Sequence, residues 1–352
     1  MSQRHLVVCL GLAAVLVTQA GPSLADDRQH LSLLLRVQPE VVNVSGDIPD
    51  RRGSSGTSIT DGWGNGMANS HNWGAFFADA HHRFDENWRL FARYGLNVDM
   101  EGLKSGDARE REVEIGLNTP IGEFRAGRLE TPYKRAALGW DPLNATFMQA
   151  RANTGRSGGA FGHGGYVDNA LSYSHQFGTV NVNAFAAVDR LSNVGSRLSD
   201  ENLVWAFSAS APLGPVEVLL SHIDASRFDG APADRTGTKL GARWSEGPWT
   251  VAGHYEFRGE GLENGDFLFL SASFRHEQWQ FSLNHGRFSE DEPSGDDARY
   301  LALGARYSVS PLISFHGGIR RVERDISGSE HIAGLGARFT FRTANLLGPG
   351  SL

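Results

Sequence analysis

Apolar and polar or small residues alternate along stretch after stretch of this chain. Residues 180–186 alternate for seven positions, with Phe185 as a bulky apolar side chain on the polar face. Residues 249–258, 279–285 and 301–307 repeat the pattern. A period of two predicts strands with two unlike faces, and beyond residue 25 no stretch sustains the period of an amphipathic helix. The punctuation between strands also alternates. Tight turns fall at 85–87, 119–122, 178–179, 212–215, 246–248, 276–278 and 310–311. Longer polar connections fall at 46–71, 100–109, 131–168, 190–201, 226–236, 259–265, 289–297 and 323–330. Seven turns and eight loops join sixteen strands. Short turns at one end and long loops at the other, with one apolar face per strand, predict an all-β fold: a transmembrane antiparallel β-barrel of about 16 strands. Only a closed barrel satisfies the backbone of every strand inside lipid.

Alternation also assigns the faces. Leu90, Ala92, Tyr94 and Leu96 are expected to meet lipid, with Arg89 and Arg93 in the lumen. Leu240, Ala242 and Trp244 point out, and Lys239, Gly241 and Arg243 point in. Ile313, Phe315 and Ile319 point out, opposite Ser314, His316 and Arg320. The last strand turns Ala333, Leu335, Ala337, Phe339 and Phe341 outward and Arg338 inward. An arginine facing lipid at mid-depth costs about 2–4 kcal/mol, so the inward assignment of these arginines has an energetic basis. Trp73, Trp88, Trp205, Trp249, Tyr255, Phe257, Trp279 and Tyr307 fall near strand ends, as interfacial girdles require.

Composition sharpens this picture. Of 352 residues, 40% are hydrophobic and 43 are glycine. Globular domains carry about 45–50% apolar residues, and a barrel needs apolar side chains on its outside only. The net charge of −7 excludes nucleic acid as a partner, because phosphate-backbone binding needs a basic face. Residues 1–25 read as a cleavable signal: Arg4 and His5, an apolar run over 6–17, then Ser23-Leu24-Ala25 before Asp26. The lone cysteine, Cys9, lies in that segment, so the exported chain uses no disulfide. The barrel is expected over 26–341, and 342–352 follow as a C-terminal extension.

Three segments resemble the general (trimeric) porins of Gram-negative bacteria. Residues 122–133, with Gly127-Arg128 before a long loop, resemble the family's fifth strand. Residues 167–173, Val-Asp-Asn-Ala-Leu-Ser-Tyr, resemble the start of the strand after that loop. Residues 334–341 resemble its terminal strand. The resemblance implies an outer-membrane location, a homotrimer, contacts with outer-membrane lipid and lipopolysaccharide, and recognition of Phe339 and Phe341 by the barrel-assembly machinery. It implies a water-filled channel for passive diffusion of small hydrophilic solutes and ions. It also implies that the long third loop, 131–168, folds into the lumen.

That loop carries Tyr133, Leu138, Trp140, Leu143, Phe147, Met148, Phe161 and Tyr166, enough to pack against a wall, and a glycine-rich end at 155–165. By the resemblance, loop residues Lys134, Arg135, Asp141, Arg151, Arg156 and Asp168 form the pore constriction opposite wall arginines Arg36, Arg89, Arg93, Arg125 and Arg128. Arg243, Arg306, Arg320 and Arg338 stand further round. Basic residues outnumber acids in the loop, which predicts a weak preference for anions, since rings of charge set selectivity. The alternative is a substrate-preferring channel for anions or carboxylates; a barrel adhesin or an outer-membrane enzyme is further off. Strict alternation from Arg125 places Arg128 outward, so it requires a bulge or a site above the membrane. No cofactor, metal or catalytic site is expected. His81 and His82 are adjacent and face opposite sides of a strand, and so are the members of Ser174-His175 and Ser221-His222.

Overall fold

The computed structural model describes residues 28–47, 56–60, 74–98, 110–150, 166–188, 203–225, 236–259, 265–291 and 295–347. The expected signal segment, 1–25, lies outside them. Eighteen extended segments form one antiparallel sheet: β1 (Gln29–Val37), β2 (Glu40–Gly46), β3 (Gly56–Thr60), β4 (Ala75–Arg83), β5 (Arg89–Asn97), β6 (Glu110–Thr119), β7 (Gly122–Leu129), β8 (Val167–Phe177), β9 (Val180–Val188), β10 (Leu203–Leu213), β11 (Val216–Asp224), β12 (Thr236–Glu246), β13 (Trp249–Gly259), β14 (Gly265–His276), β15 (Trp279–Glu290), β16 (Ala298–Ser310), β17 (Ile313–Arg324) and β18 (Gly328–Arg342).

The eighteen segments make a closed barrel of sixteen strands. β1 and β2 are one strand interrupted at Gln38-Pro39: the upstream half pairs with β4 and the end of β18, the downstream half with β3 and the rest of β18. Proline has no N–H to give to a ladder, so the break falls there. β3 and β4 lie opposite the two halves of that strand and together supply the second wall strand. The expected long loop 46–71 is corrected accordingly: its middle, Gly56–Thr60, is strand paired to residues 40–44. The short run Gly-Thr-Ser-Ile-Thr is too brief to show its period in sequence. Sequential strands then pair one after another to β18, which closes on β1 and β2.

The two faces follow the alternation. Leu240, Leu283, Leu301, Leu303, Ile319 and Leu335 are exposed on the outside, each between buried or half-buried inward neighbours. At Arg128 the alternation does break. Gly127 has φ +133 and the β7–β8 register shifts between Gly127 and Leu129. This bulge re-aims the next side chains. A Cβ at Gly127 would lie 2.1 Å from the Val113 carbonyl oxygen, so only glycine fits.

The seam runs past the last strand. Phe341 pairs with Leu35, and beyond Arg342 the Thr343 N–H donates to the Leu33 carbonyl at 3.0 Å and the Leu346 N–H to the Leu31 carbonyl at 2.8 Å. The Leu33 N–H donates to Thr343 Oγ1 and the Leu31 N–H to Asn345 Oδ1, both at 3.0 Å. The start of the C-terminal extension therefore lengthens the closing ladder.

Candidate functional site

The third loop leaves the wall where Leu129 pairs with Val167. Thr131 caps a one-turn helix, α1 (Pro132–Arg135), its hydroxyl accepting from the Lys134 N–H at 3.2 Å, with proline at the favoured first position. Lys134 pairs with Glu130, and Arg135 lies 3.5 Å from the same carboxylate. Burial works against that charge, but Lys134 and Arg135 hold the Glu130 carboxyl down to about 2. The Tyr166 ring, at the far foot of the loop, sits under three cations: Lys134 Nζ at 4.5 Å and the guanidiniums of Arg111 and Arg128 at 5.6 and 5.7 Å. Tyr133 packs into a buried cluster with Leu129, Val167, Phe185, Val204 and Ile223. This explains why Phe185 stands on a polar strand face: the loop, rather than water, covers it.

From α1 the loop follows the inner wall of β12–β18, and wall side chains hold its carbonyls. Lys239 Nζ donates to the carbonyls of Tyr133 and Ala136 at 3.2 and 3.1 Å. Ser271 Oγ donates to the Trp140 carbonyl at 2.8 Å, and Arg306 to that of Pro142 at 3.3 Å. Arg338 reaches the carbonyls of Asn144 and Ala145 at 2.6 and 2.9 Å. Arg320 reaches that of Phe147 at 2.5 Å, and the Tyr300 hydroxyl that of Met148. Glu40, fully buried, accepts from the Phe147 N–H at 3.2 Å, from Gln38 at 2.9 Å, and meets His316 Nε2 at 2.8 Å. On the apolar side, Leu143, Phe147, Met148 and Ala150 enter a core with Val42, Phe269, Phe288, Tyr300 and Ile332. Gly304 leaves the room for this contact: a Cβ there would lie 2.7 Å from Leu143 and 2.8 Å from the Met148 sulfur.

Asp141 organises the segment internally. Its Oδ1 accepts from the Leu143 N–H at 2.7 Å and from Asn284 at 2.6 Å, and its Oδ2 from the Ala150 N–H at 3.0 Å. One carboxylate thus closes the turn from 141 to 150 and ties it to β15.

The wall of β4–β8 carries no such cover among the described residues. Arg111 is buried against Tyr166 at the foot of the loop, whereas Arg93 and Arg125 are part-exposed and paired with acids. Arg93 meets Asp79 at 2.6 Å and Glu112 at 3.0 Å, and Arg125 meets Glu123 at 2.6 Å and Glu114 at 2.9 Å. Arg36 and Arg93 each stack over Phe77 at 4.9 Å, and Arg89 and Arg125 over Phe91 at 5.7 and 5.2 Å. Beside them opens a recess of about 440 Å³ lined by Asn118, Glu123, Ser174, Gln176, Asn181 and Asn183, among others.

The residues expected at the constriction thus separate. Arg36, Arg89, Arg93 and Arg125 stand together on the inner wall of β1 and β5–β7. Arg128 is brought to Asp168 at 3.0 Å by the bulge. Arg135 is the exposed cation at the start of the loop, 53% exposed. Lys134 and Asp141, 5% and 8% exposed, are turned under the loop; their expected place in the lumen is corrected, because Lys134 is taken up by Glu130 and Tyr166, and Asp141 by the Leu143 and Ala150 N–H groups and by Asn284 of the wall. Arg151 and Arg156 lie outside the described residues. Lys239, Ser271, Tyr300, Gln38 and Glu40 were not among the expected site residues. Their signal was faint: polar side chains on the inward face of separate strands, such as Lys239 two residues before the inward Gly241. Among the described residues, no group of three or more His, Cys, Asp or Glu side chains is arranged to hold a metal ion.

Comparison with known proteins bears on this geometry. The model of the Gram-negative porin family matches residues 11–327. The anion-selective porin from Comamonas acidovorans superposes with a TM-score of 0.70 at 18% identity, covering 89% of this chain and 100% of that one. OmpF of Salmonella typhi in complex with daunomycin gives 0.69 at 14% identity, covering 90% and 98%. OmpT of Vibrio cholerae, an outer membrane protein in its trimer form, gives 0.65 at 12% identity, covering 90% and 100%. No curated protein sequence matches the chain.

Proposed function

The chain belongs to the Gram-negative porin family, and from that premise we propose a homotrimeric outer-membrane channel for passive diffusion with a weak preference for anions. The observation that carries the selectivity is the asymmetric use of inward charge. The described part of the loop, residues 131–150, is bound to the β12–β18 wall, so we place the passage along β4–β8, where Arg36, Arg89, Arg93 and Arg125 line the inner wall; the loop's Arg135 is exposed at the start of the loop, on a helix packed against β9–β11. Acids pair with several of them, which keeps the bias weak, and the remaining guanidinium charge favours anions. The anion-selective porin of Comamonas acidovorans and the trimeric OmpT of Vibrio cholerae are consistent with these two points.

Export on the 1–25 signal, and recognition of Phe339 and Phe341 during assembly, complete the reading. Phe341 is 58% exposed on the outer face, as a recognised terminal aromatic must be. The chain acts as a channel rather than an enzyme. Ser221 donates to the Phe207 carbonyl while its neighbour His222 bonds Thr238 Oγ1 on the other face, so that pair is no nucleophile–base dyad.

Planar-bilayer recording of the refolded protein in a salt gradient tests this. Expected are stepwise conductances in groups of three and a small reversal potential of anionic sign. Strong cation preference, or saturation of the current by a single solute, would refute the non-specific, weakly anionic reading. Absence of conductance would refute the channel itself.

A further inference from the structure

The inward histidines stand in two settings. His254 and His316 lie on the covered wall, where His254 meets Glu256 at 3.1 Å and His316 meets Glu40 at 2.8 Å. His30 and His81 lie on the open wall and meet each other. They are direct cross-strand partners in the β1–β4 ladder. Their rings stack, with centroids 4.8 Å apart and planes 11° from parallel. Alternation fixes the side they face. His30 is in step with Arg36, and His81 with Phe77, whose ring Arg36 and Arg93 both cover. His81 stands just before the tight turn at 85–87, so the pair sits at the short-turn mouth, one row below Asp79 and Arg93. Both residues are half-buried, within reach of water on a wall the described part of the loop leaves open.

The charge around the pair is one-sided. On β4, Arg83 follows His81 and faces Arg89 of β5 across the ladder. On β1, Arg28 precedes His30 by two positions. Phe91 stands directly beside His81 and carries the guanidiniums of Arg89 and Arg125 on its ring. The acid on these strands next to the pair, Asp79, gives both oxygens to Arg93, at 2.6 and 3.3 Å. In the turn, Asp85 accepts from the Asn87 and Trp88 N–H groups at 2.7 and 3.0 Å, and Glu86 stands exposed beside it. On the far side of β1 runs the C-terminal extension, Arg342 and then the uncharged residues 343–347, with Asn345 donating to the Gln29 carbonyl at 2.9 Å. Neither imidazole has a carboxylate partner among the described residues. A proton taken up by either ring is therefore not neutralised in place but adds to the field of the mouth. Imidazole ordinarily changes charge between pH 5 and 8. Across that range the arginines of the wall stay charged, and exposed carboxylates titrate below it.

We propose that His30 and His81 are titratable selectivity determinants of the channel: protonated, they make the short-turn mouth a stronger attractor for anions, and neutral, they leave the weak preference to the arginines. The inference rests on the channel reading above and gives its selectivity a pH dependence. Reversal potentials of the full refolded protein in a potassium chloride gradient, recorded at pH 8 and at pH 5, test it. Wild type is expected to gain about twofold in anion-to-cation permeability ratio on acidification. The H30Q/H81Q double variant is expected to lose that gain and keep wild-type conductance at pH 8, and each single variant to keep part of the gain. His81→Arg, charged at both pH values, is expected to show a raised ratio already at pH 8. The gain is also expected to shrink at 1 M salt, where the Debye length falls to about 3 Å. A rearrangement of the loop would instead change the conductance and survive the salt. An undiminished gain in the double variant, no gain in wild type, or a gain that survives 1 M salt would overturn the proposal. Should the double variant not insert, His81→Arg decides, and an unchanged ratio at pH 8 overturns the proposal. Wild type without conductance, or preferring cations at both pH values, would refute the weakly anionic channel instead, so the two failures are distinguishable.

Discussion

Two walls of one barrel use the same residue type in opposite ways. On β12–β18 the inward cations Lys239, Arg306, Arg320 and Arg338 are covered by the third loop and donate to its carbonyls. On β5–β7 the inward cations Arg93 and Arg125 are part-exposed and face carboxylates across neighbouring strands. In the first wall arginine acts as a fastener in a dry interface, where an unmet carbonyl is costly. In the second it is part of a wet, nearly balanced charge lattice in which each pair contributes little to stability. Cover, rather than residue type, decides whether a lumenal arginine belongs to the pore or to the fold. The fastened wall fixes where residues 131–150 of the loop lie, and the open wall is the one proposed above to meet the solute.

That contrast can be broken from either side. The largest effect is expected from Arg320→Ala. It strips the Phe147 carbonyl and leaves Glu330 buried without its cation, a loss of about 3–5 kcal/mol. Lower thermal stability and larger, noisier single-channel conductance are expected, whereas Arg93→Ala on the open wall costs no more than about 1 kcal/mol. Asp141→Ala comes next. Loss of the acceptor for two buried N–H groups and Asn284 is expected to cost about 1–3 kcal/mol and to open the 141–150 turn to protease. Acid acts on the foot of the loop more mildly. Glu130 is held at about 2, below its ordinary 4.5, so its contribution is complete above pH 4.5 and is lost as pH falls towards 2. Current fluctuations recorded across that window should rise with acidification, and Glu130→Gln should show them already at neutral pH. A smaller effect on stability, about 1 kcal/mol, is expected for Glu114→Gln with Glu123→Gln, because Glu114 is buried beside Arg125 but glutamine keeps an acceptor for it. Freed of its partners, Arg125 should shift the reversal potential further towards anions. An unchanged potential would mean that the open wall does not set selectivity.

Much of the fold was legible in the sequence because a strand's two faces are written in its period. The tight turns, the inward direction of Lys239, Arg320 and Arg338, and the break at Arg128 could all be read there. What alternation does not report is what the inward face meets. Lys134 and Asp141 have the composition of a constriction, yet the Glu130 carboxylate and a closed turn use them up. Wet and dry stretches of the lumenal face are marked only by weak signs, such as Phe185 among polar neighbours and the inward Gly304, whose missing Cβ admits Leu143 and Met148. The strand at Gly56–Thr60 was missed because five residues give too few repeats of a two-residue period.

The seam that joins Leu31 and Leu33 to Asn345 and Thr343 has a kinetic meaning. Its partners are more than 300 residues apart in sequence, among the most distant contacts the chain can make, and such contacts are the slowest to form. Closure must wait for the last residues to arrive. The loop's fasteners on β12–β18, each 100 residues or more beyond the carbonyl it holds, are also made late. A sheet that closed first would leave the loop to find its carbonyl partners through a finished pore. The order favoured by this connectivity is the reverse: the growing wall picks up the loop strand by strand, from β12 to β18, and the final zip along β1 locks a lumen that is already furnished.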